Sequence, residues 1–473
     1  MRSTPGDLVA QKVTTTETEK QEKTKVLWPQ WIAAIGVTLL LVQIGLLAGW
    51  SSPYIAFLTS PNSHIPITLN EASWIVSLLN AGRLIGAIFG ALCVNYFGSK
   101  RTIFIISLPL IFGWLFIILA DRVEWLYVSR FLGGIALGKT YSCFSLYLGE
   151  ITDPSIRGAT VVLAMAGLSM GTMIICIMGA YLSMTVSTSI SLAHAFVLMA
   201  IFIWLPESPH HFVKIKADEK ARASIRWYHR DCDVESEMQS LKKFIEMNSS
   251  SSTMDVIKEF GVPHVGKTLA IVTVLYMYAQ MCGINNVEFY METLLRNAHV
   301  TVIDPSVVVI IVMSIGIVSS LFSIMLIDRF GRRILMMTSS VAVVISISCL
   351  GTVFQFIDAG YNSVYLQALA IFSMIFFQLA VFIGLLSVPI TVLSEVFPPH
   401  IKCMAGCLTS IAAGLFAFTS TSSYQPLVNL ITEKYVFYLY SLLLITAVPF
   451  AFFCMPETKG KSLQQIQEEL KKC

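Results

Sequence analysis

The amino-acid sequence predicts an all-α membrane protein with twelve transmembrane helices in two repeated six-helix halves. Hydrophobic residues occupy 55% of the 473 positions and charged residues only 13%. A soluble domain carries roughly 25% charged residues, so this chain lacks the polar surface that water requires. Its charges also lie in short clusters between long apolar stretches. These observations predict that most of the chain lies in a lipid bilayer.

Twelve apolar stretches are long enough to cross a bilayer, which takes roughly 20 helical residues. They run over 30–52, 73–97, 102–120, 125–149, 158–182, 189–205, 266–294, 304–327, 334–357, 364–394, 402–427 and 435–455. We therefore expect five parts: a cytosolic disordered tail (1–28), an N-terminal six-helix bundle (29–205), a cytosolic helical loop (206–264), a C-terminal six-helix bundle (265–455) and a cytosolic C-terminal tail (456–473).

The distribution of basic residues predicts the orientation, since Lys and Arg concentrate in cytosolic loops. If both termini are cytosolic, the outer loops hold only Arg122, Arg296 and Lys434. The inner connections then hold the basic central loop and the clusters after the second and eighth spans. The sequence thus predicts a multi-pass protein, in the plasma membrane, with both ends in the cytosol.

Three short motifs of the first half recur in the second. Each pair is separated by about half the chain, and all lie on the predicted cytosolic side. The pairs are Asn95-Tyr96-Phe97-Gly98 with Asp328-Arg329-Phe330-Gly331, Glu150 and Arg157 with Glu395 and Lys402, and Pro206-Glu207-Ser208 with Pro456-Glu457-Thr458. Repetition in the same order indicates two parallel six-helix repeats related by an axis along the membrane normal.

These motifs resemble the sugar porters of the major facilitator superfamily over nearly the whole chain. The matching segments are Arg130-Phe131-Leu132-Gly133-Gly134, Tyr147-Leu148-Gly149-Glu150, Pro206-Glu207-Ser208-Pro209, Gly283-Ile284-Asn285, Gly331-Arg332-Arg333 and Pro456-Glu457-Thr458-Lys459-Gly460. Gly49-Trp50-Ser51-Ser52-Pro53 resembles the insect trehalose-facilitator branch. The resemblance implies the major facilitator fold and transport by alternating access.

The resemblance also implies an inner charge network that closes the cytosolic side in one state of the cycle. Its members would be Lys100, Arg130, Glu150, Arg157, Asp328, Arg329, Arg332, Arg333, Glu395 and Lys402. The alternative is that these charges only mark helix ends and enforce topology. Asn95 and Ser99 replace charged residues of the family, so we expect the first-half part of this network to be weaker.

Only part of the family's sugar-binding set is present. The matching positions imply substrate contacts at Gln280, Asn285, Gln43 and Ser169, and an outer gate at Phe289, Tyr290 and Pro389. Polar or aromatic residues of the family are replaced by Ala279, Gly316, Ile390, Ala413 and Gly414. Each lost hydrogen-bond partner would cost roughly 0.5–1.5 kcal/mol of binding.

Three charges lie in the middle of predicted spans, where a charge is costly and usually functional. They are Arg83, Lys139 and Glu288, at positions where the family is generally apolar or small. One hypothesis is an altered pocket that accepts a more polar or charged solute, with Arg83 and Lys139 favouring an anion. The alternative is that both basic residues pair with carbonyl groups or reach the interface, while Glu288 lies in a wet outer vestibule.

The sequence therefore predicts a facilitated carrier, or uniporter, for a sugar such as trehalose or a hexose. Proton-linked members of the family carry an acid on the first span, and residues 43–50 contain none. The alternatives are a carrier for another polar or anionic solute and a non-transporting sugar sensor. We find no nucleotide-binding loop, zinc-ligand spacing or nucleophile elbow, so we expect no enzyme activity, cofactor, metal or nucleic acid, and a monomer in the bilayer.

Overall fold

The computed structural model describes residues 26–61, 63–249, 258–461, 465, 466 and 468. Helices account for all the regular secondary structure of these residues, and the predicted fold class is confirmed. Most of the predicted N-terminal tail, residues 1–25, and most of the segment after 461 lie outside the described residues.

Twelve long helical spans follow one another at the predicted positions. They are Trp28–Leu58, Leu69–Phe97, Ser99–Ile118, Val123–Ile151, Pro154–Tyr181, Met184–Trp204, Pro263–Asn297, Pro305–Phe330, Arg332–Asp358, Val364–Val396, Pro399–Ile431 and Glu433–Phe453, numbered 1 to 12 below. Within the described chain, eleven are long and apolar enough to cross a membrane. Span 4 has the length, 29 residues, but its four charged residues lower its hydropathy.

Spans 7 and 10 are interrupted near their middles. Span 7 consists of Pro263–Met281 and Ile284–Asn297, joined at Gly283, whose φ of +88° is left-handed. Span 10 contains a π-helical turn, Val381–Leu385. The Ser339 hydroxyl donates to the Ala380 carbonyl at 2.6 Å and accepts from the Leu385 amide at 2.9 Å. A partner of this kind lets a break exist inside a membrane.

Spans 2 and 4 approach each other closely through small residues. A Cβ at Gly82 would lie 2.2 Å from the Phe131 carbonyl oxygen, and a Cβ at Gly138 would lie 2.2 Å from that of Arg83. Membrane helices associate in this way because small residues let two backbones pack against each other. This contact fixes the orientation of Arg83 and of the span 4 residues beside it.

Three helices of the central loop lie at one end of the bundle: α1 (Pro209–Lys214), α2 (Asp218–Tyr228) and α3 (Val234–Ser249). We call this end the loop side and the opposite end the far side. The helices share a small apolar core. They attach to the first half, since Tyr228 contacts the Tyr147 hydroxyl at 2.8 Å and its carbonyl accepts from Gln30 at 3.1 Å.

The two halves meet on the far side through spans 1 and 7, 2 and 11, and 5 and 8. Asn429 donates to Asn70 at 3.3 Å, and Asn80 donates to Thr421 at 3.4 Å. The contact between spans 2 and 11 continues to the middle of the bundle, where Gly414 packs on Leu84. The halves are therefore closed on the far side, and the space between them opens toward the loop side.

Candidate functional site

Two amide side chains flank the break in span 7. Asn285 donates to the Gln280 side-chain oxygen at 3.1 Å, and Gln280 is largely buried while Asn285 is half-buried. The left-handed Gly283 turns the chain between them, so residues five positions apart come within hydrogen-bond distance. The structure thus brings together two of the predicted substrate-binding residues.

A third amide, Gln378 of span 10, was missed by the sequence analysis. Its amide donates to the Glu288 carboxylate at 3.0 Å, and a Cβ at Gly316 would lie 3.0 Å from its nitrogen. Gln378 therefore fills the space that Gly316 leaves on span 8. A glutamine in the middle of an otherwise apolar span is itself a signal that could have identified it.

The predicted charge Arg83 lies in the middle of span 2, half-buried, with its guanidinium over the Tyr141 ring at 5.1 Å. It also lies within electrostatic reach of Tyr276 on span 7, in the other half. Arg83 therefore faces the space between the halves.

Lys139 lies on a different face of span 4 from Tyr141, the residue that contacts Arg83. It is two residues before Tyr141, which corresponds to about 200° around a helix, and its Cα packs against Gly90 of span 2. The structure therefore brings Arg83 and Glu288 to the central space, and it does not place Lys139 beside Arg83.

Gln43 does not face the central space, which corrects its predicted role. It is fully buried, donates to the Ser191 carbonyl at 3.1 Å and forms a short hydrogen bond with His194, both on span 6. The physical reason is helical periodicity. Gly45 packs directly on span 5, where a Cβ would lie 2.0 Å from the Leu168 carbonyl oxygen. Residues two positions apart are about 200° apart around a helix, so Gln43 points away from span 5.

Ser169 lies on the side of span 5 that faces the second half. It is half-exposed and one helical turn from Met173, and residues four apart share a helix face. Met173 accepts a hydrogen bond from Ser314 of span 8 at 3.3 Å. Ser169 thus lies at the boundary of the central space.

The far side is closed around the predicted aromatic gate. Phe289 and Tyr290 are buried, and the Tyr290 ring packs on Tyr424 of span 11 at 5.2 Å between centroids. Beside them the Glu292 amide donates to Ser52 of span 1 at 3.3 Å. Both aromatics therefore lie where the halves are in contact.

Pro389, predicted at the outer gate, lies instead on the loop-side half of span 10. Span 10 begins on the far side at Val364 and ends at Val396, seven residues after Pro389. Glu395, at the loop-side end, is only about two helical turns away. The prediction was wrong because a match in sequence does not show on which side of the membrane centre a residue lies.

The second half holds a compact charged cluster at the loop side. Arg332 donates to both carboxylate oxygens of Glu395, at 2.6 and 3.1 Å, and to Asp328 at 3.2 Å. Its fourth bond is to the Ile327 carbonyl at 3.1 Å, and Thr458 donates to Glu395 at 2.5 Å. This two-pronged Arg–carboxylate geometry is the strongest kind of side-chain pairing.

In the described part of the first half, the corresponding position has no such pair. Glu150 accepts from the hydroxyls of Ser99, at 2.7 Å, and Ser208. Arg157 donates to the Thr152 carbonyl of its own half at 3.2 Å. Ser99 therefore supplies a neutral hydrogen bond where Arg332 supplies a charge-assisted one, in line with the weaker first-half cluster that we predict.

Two further carboxylates, Glu207 and Glu457, cap the first turns of spans 3 and 9. Glu207 accepts from the backbone amides of Lys100 and Arg101, both at 2.9 Å. Glu457 accepts from those of Arg332 and Arg333 at 3.1 and 3.0 Å. Desolvation raises the pKa of Glu457, but these backbone donors outweigh it and hold the pKa below its usual value.

The remaining loop-side residues are less tightly bound. Arg333 donates to the Met455 carbonyl at 2.5 and 3.0 Å. Arg329 and Lys402 are exposed. Each of these residues lies at the loop-side end of its span, as predicted.

Arg130 does not belong to the loop-side network, which is a third correction. It lies near the beginning of span 4, 20 residues or about 30 Å from Glu150 at the other end. It is fully buried, donates to the Leu47 carbonyl at 2.8 Å and stacks over the Trp50 ring at 3.9 Å. Its motif matched the family, but span 4 carries it to the far side.

Comparisons with solved structures agree with this architecture. The inward open conformation of the xylose transporter XylE from E. coli aligns with 93% of this chain and 99% of its own, with a TM-score of 0.77 and 19% identity. The proton:xylose symporter XylE bound to 6-bromo-6-deoxy-D-glucose aligns over 92% and 99%, with a TM-score of 0.71 and 20% identity. At this identity the likeness establishes the fold.

Sequence comparison identifies the family. The facilitated trehalose transporter of Polypedilum vanderplanki is 29% identical over 94% of this chain and 88% of its own length. The facilitated trehalose transporter of Bombyx mori is 28% identical over 94% of this chain and 87% of its own length. The chain spans about half the length of others, 48% for Drosophila grimshawi and 55% for Aedes aegypti. A family model described as "Sugar (and other) transporter" matches residues 29–470. The chain therefore belongs to this family of multi-pass membrane proteins, with the fold of the major facilitator superfamily.

Proposed function

We propose that this protein is a sugar carrier that works by alternating access, with trehalose or a hexose as its substrate. The observation that carries the proposal is the Gln280–Asn285 amide pair beside the break in span 7, between halves that are in contact on the far side. Amides suit sugars because each offers both donors and acceptors to hydroxyl groups. The relatives named as facilitated trehalose transporters support this substrate class.

Transport is proposed to be uniport, driven by the solute gradient. Span 1, Trp28–Leu58, contains neither Asp nor Glu, so the first span offers no carboxyl group for proton coupling. Glu288 is the acid nearest the amides, and it is held by Gln378.

The loop side is proposed to be cytosolic and the membrane to be the plasma membrane, with a monomer as the working unit. Basic residues concentrate on the loop side, as the positive-inside rule requires. The halves then correspond to residues 29–205 and 265–455, with 206–264 between them. The state described here would be the one that opens inward.

Uptake into liposomes tests the proposal. Purified full-length protein should accumulate labelled trehalose or glucose down its gradient, saturably, and without a dependence on a proton gradient. A variant in which Gln280 and Asn285 are both alanine is the matched control. Absence of uptake of every sugar by a folded wild-type protein would refute sugar transport and favour the sensor alternative.

A further inference from the structure

Two half-buried charges face the central space from opposite halves, Arg83 on span 2 and Glu288 on span 7. We infer that this pair makes the cavity selective for sugars without net charge. The Glu288 carboxylate would accept hydroxyl protons, and the Arg83 guanidinium would donate to sugar oxygens. The inference rests on the proposed sugar transport and specifies its substrate class.

The tyrosines near Arg83 and Glu288 indicate that both charges border the same space. Arg83 stacks over Tyr141, and Tyr141 in turn lies within electrostatic reach of Glu288. Arg83 is also within reach of Tyr276, four residues before Gln280 on the same span as Glu288. Among the described residues Arg83 stacks on Tyr141, Glu288 accepts from Gln378, and neither forms an ion pair. The Arg83 guanidinium and the second carboxylate oxygen of Glu288 are therefore available to a bound solute.

The opposite signs of the two charges argue against the simpler hypothesis of an anion site. A solute anion attracted by Arg83 would be repelled by Glu288, and a cation would meet the reverse. Inside a protein such interactions are much stronger than in water. Lys139 would have tipped the balance toward anions, but it lies on another face of span 4. A neutral polyol can use both charged groups at once, because a hydroxyl both donates and accepts.

Gln378 adds a third feature that suits hydroxyl groups. It is 1% exposed, and its amide nitrogen is engaged by Glu288, but its side-chain oxygen has no hydrogen-bond partner among the described residues. A buried acceptor without a partner is costly, so a donor from the solute would stabilise it. The cavity therefore presents an acceptor at Glu288 and a donor at Arg83, and Gln378 holds a further, buried acceptor beside Glu288.

A charge-selectivity experiment in liposomes tests the inference. Uptake of glucose, protonated glucosamine and glucuronate would be compared for wild type, Glu288→Gln and Arg83→Gln. We expect wild type to prefer glucose over both charged analogues by at least about tenfold. Glu288→Gln should raise the glucuronate-to-glucose ratio about tenfold, and Arg83→Gln should raise the glucosamine-to-glucose ratio similarly. Lys139→Gln, the matched control, should leave both ratios unchanged.

The possible outcomes distinguish a failure of charge selection from a failure of the proposed sugar transport. Glucose uptake with ratios unaltered by both variants would overturn the inference and leave sugar transport standing. No sugar uptake by wild type would overturn the proposed function and the inference with it. If a variant fails to fold, competition in wild type decides: glucosamine or glucuronate competing as well as unlabelled glucose would overturn charge selection.

Discussion

The unequal charged clusters of the two halves predict unequal costs of substitution at Glu395 and Glu150. In Glu395→Gln the Arg332 side chain, 9% exposed, loses its main partner. Removing one partner of a buried ion pair costs about 3–5 kcal/mol. Because the Glu395 side chain is 26% exposed, solvent screens part of the interaction, and we expect a loss of about 2–3 kcal/mol.

Glu150→Gln should cost far less. The carboxylate of Glu150 is held by two hydroxyl groups, and a glutamine oxygen can accept from the same donors. The substitution also removes a half-buried charge that forms no ion pair with a described residue, so we expect a change within about 1 kcal/mol of zero.

Thermal unfolding of the purified full-length variants in detergent measures both effects. For a chain of this size each kcal/mol corresponds to roughly 2 °C or less, so Glu395→Gln should lower the Tm by about 4 °C and Glu150→Gln by under 2 °C. Equal shifts, or a larger shift for Glu150→Gln, would refute the reasoning, because they would mean that the pairing with Arg332 contributes no more than two neutral hydrogen bonds.

Four further substitutions test other parts of the molecule. Gln280→Ala and Asn285→Ala should each raise the KM for the transported sugar about tenfold through the loss of amide hydrogen bonds; an unchanged KM in liposomes would contradict this. Gln43→Leu should lower the Tm but leave the KM unchanged, since it removes the hydrogen-bond partner of the half-buried His194 on span 6; a raised KM at wild-type stability would show that Gln43 contacts the sugar. Gly331→Ala should lower stability by about 1 kcal/mol or more, because φ is +88° and the new Cβ would lie 2.9 Å from the capping carboxylate; a wild-type Tm would contradict it.

The spans could be predicted from the sequence because the signal is long and physical. About 20 apolar residues are required for each crossing, and charges and prolines mark the ends. Span 4 can be predicted although its four charged residues lower its hydropathy. Because spans 3 and 5 flank it, the chain must cross the membrane between them. The repeat of Pro206-Glu207-Ser208 as Pro456-Glu457-Thr458 can also be seen in the sequence. In the structure the glutamate of each copy caps the first turn of a span.

The site was harder to predict because it depends on which face of a helix a residue occupies. Gln43 was assigned to the sugar by its position along span 1, yet the close packing of Gly45 on span 5 turns it toward span 6. Gln378 was overlooked because its role arises only from the space left by Gly316 on a neighbouring span. Such relations exist between helices, and one linear sequence does not contain them.

In the state described here, the hydrogen bonds of the loop-side charges lie within each half. Arg332, Glu395 and Asp328 all belong to the second half, and Glu150 and Arg157 bond within the first. Each cluster therefore braces the helix ends of one half, so that the half can move as a rigid body while the loop side is open. Closing the loop side would bring the two clusters together without first breaking either one. A latch across the halves would then form between groups that are already positioned, with the first half supplying its weaker, more easily rearranged partners.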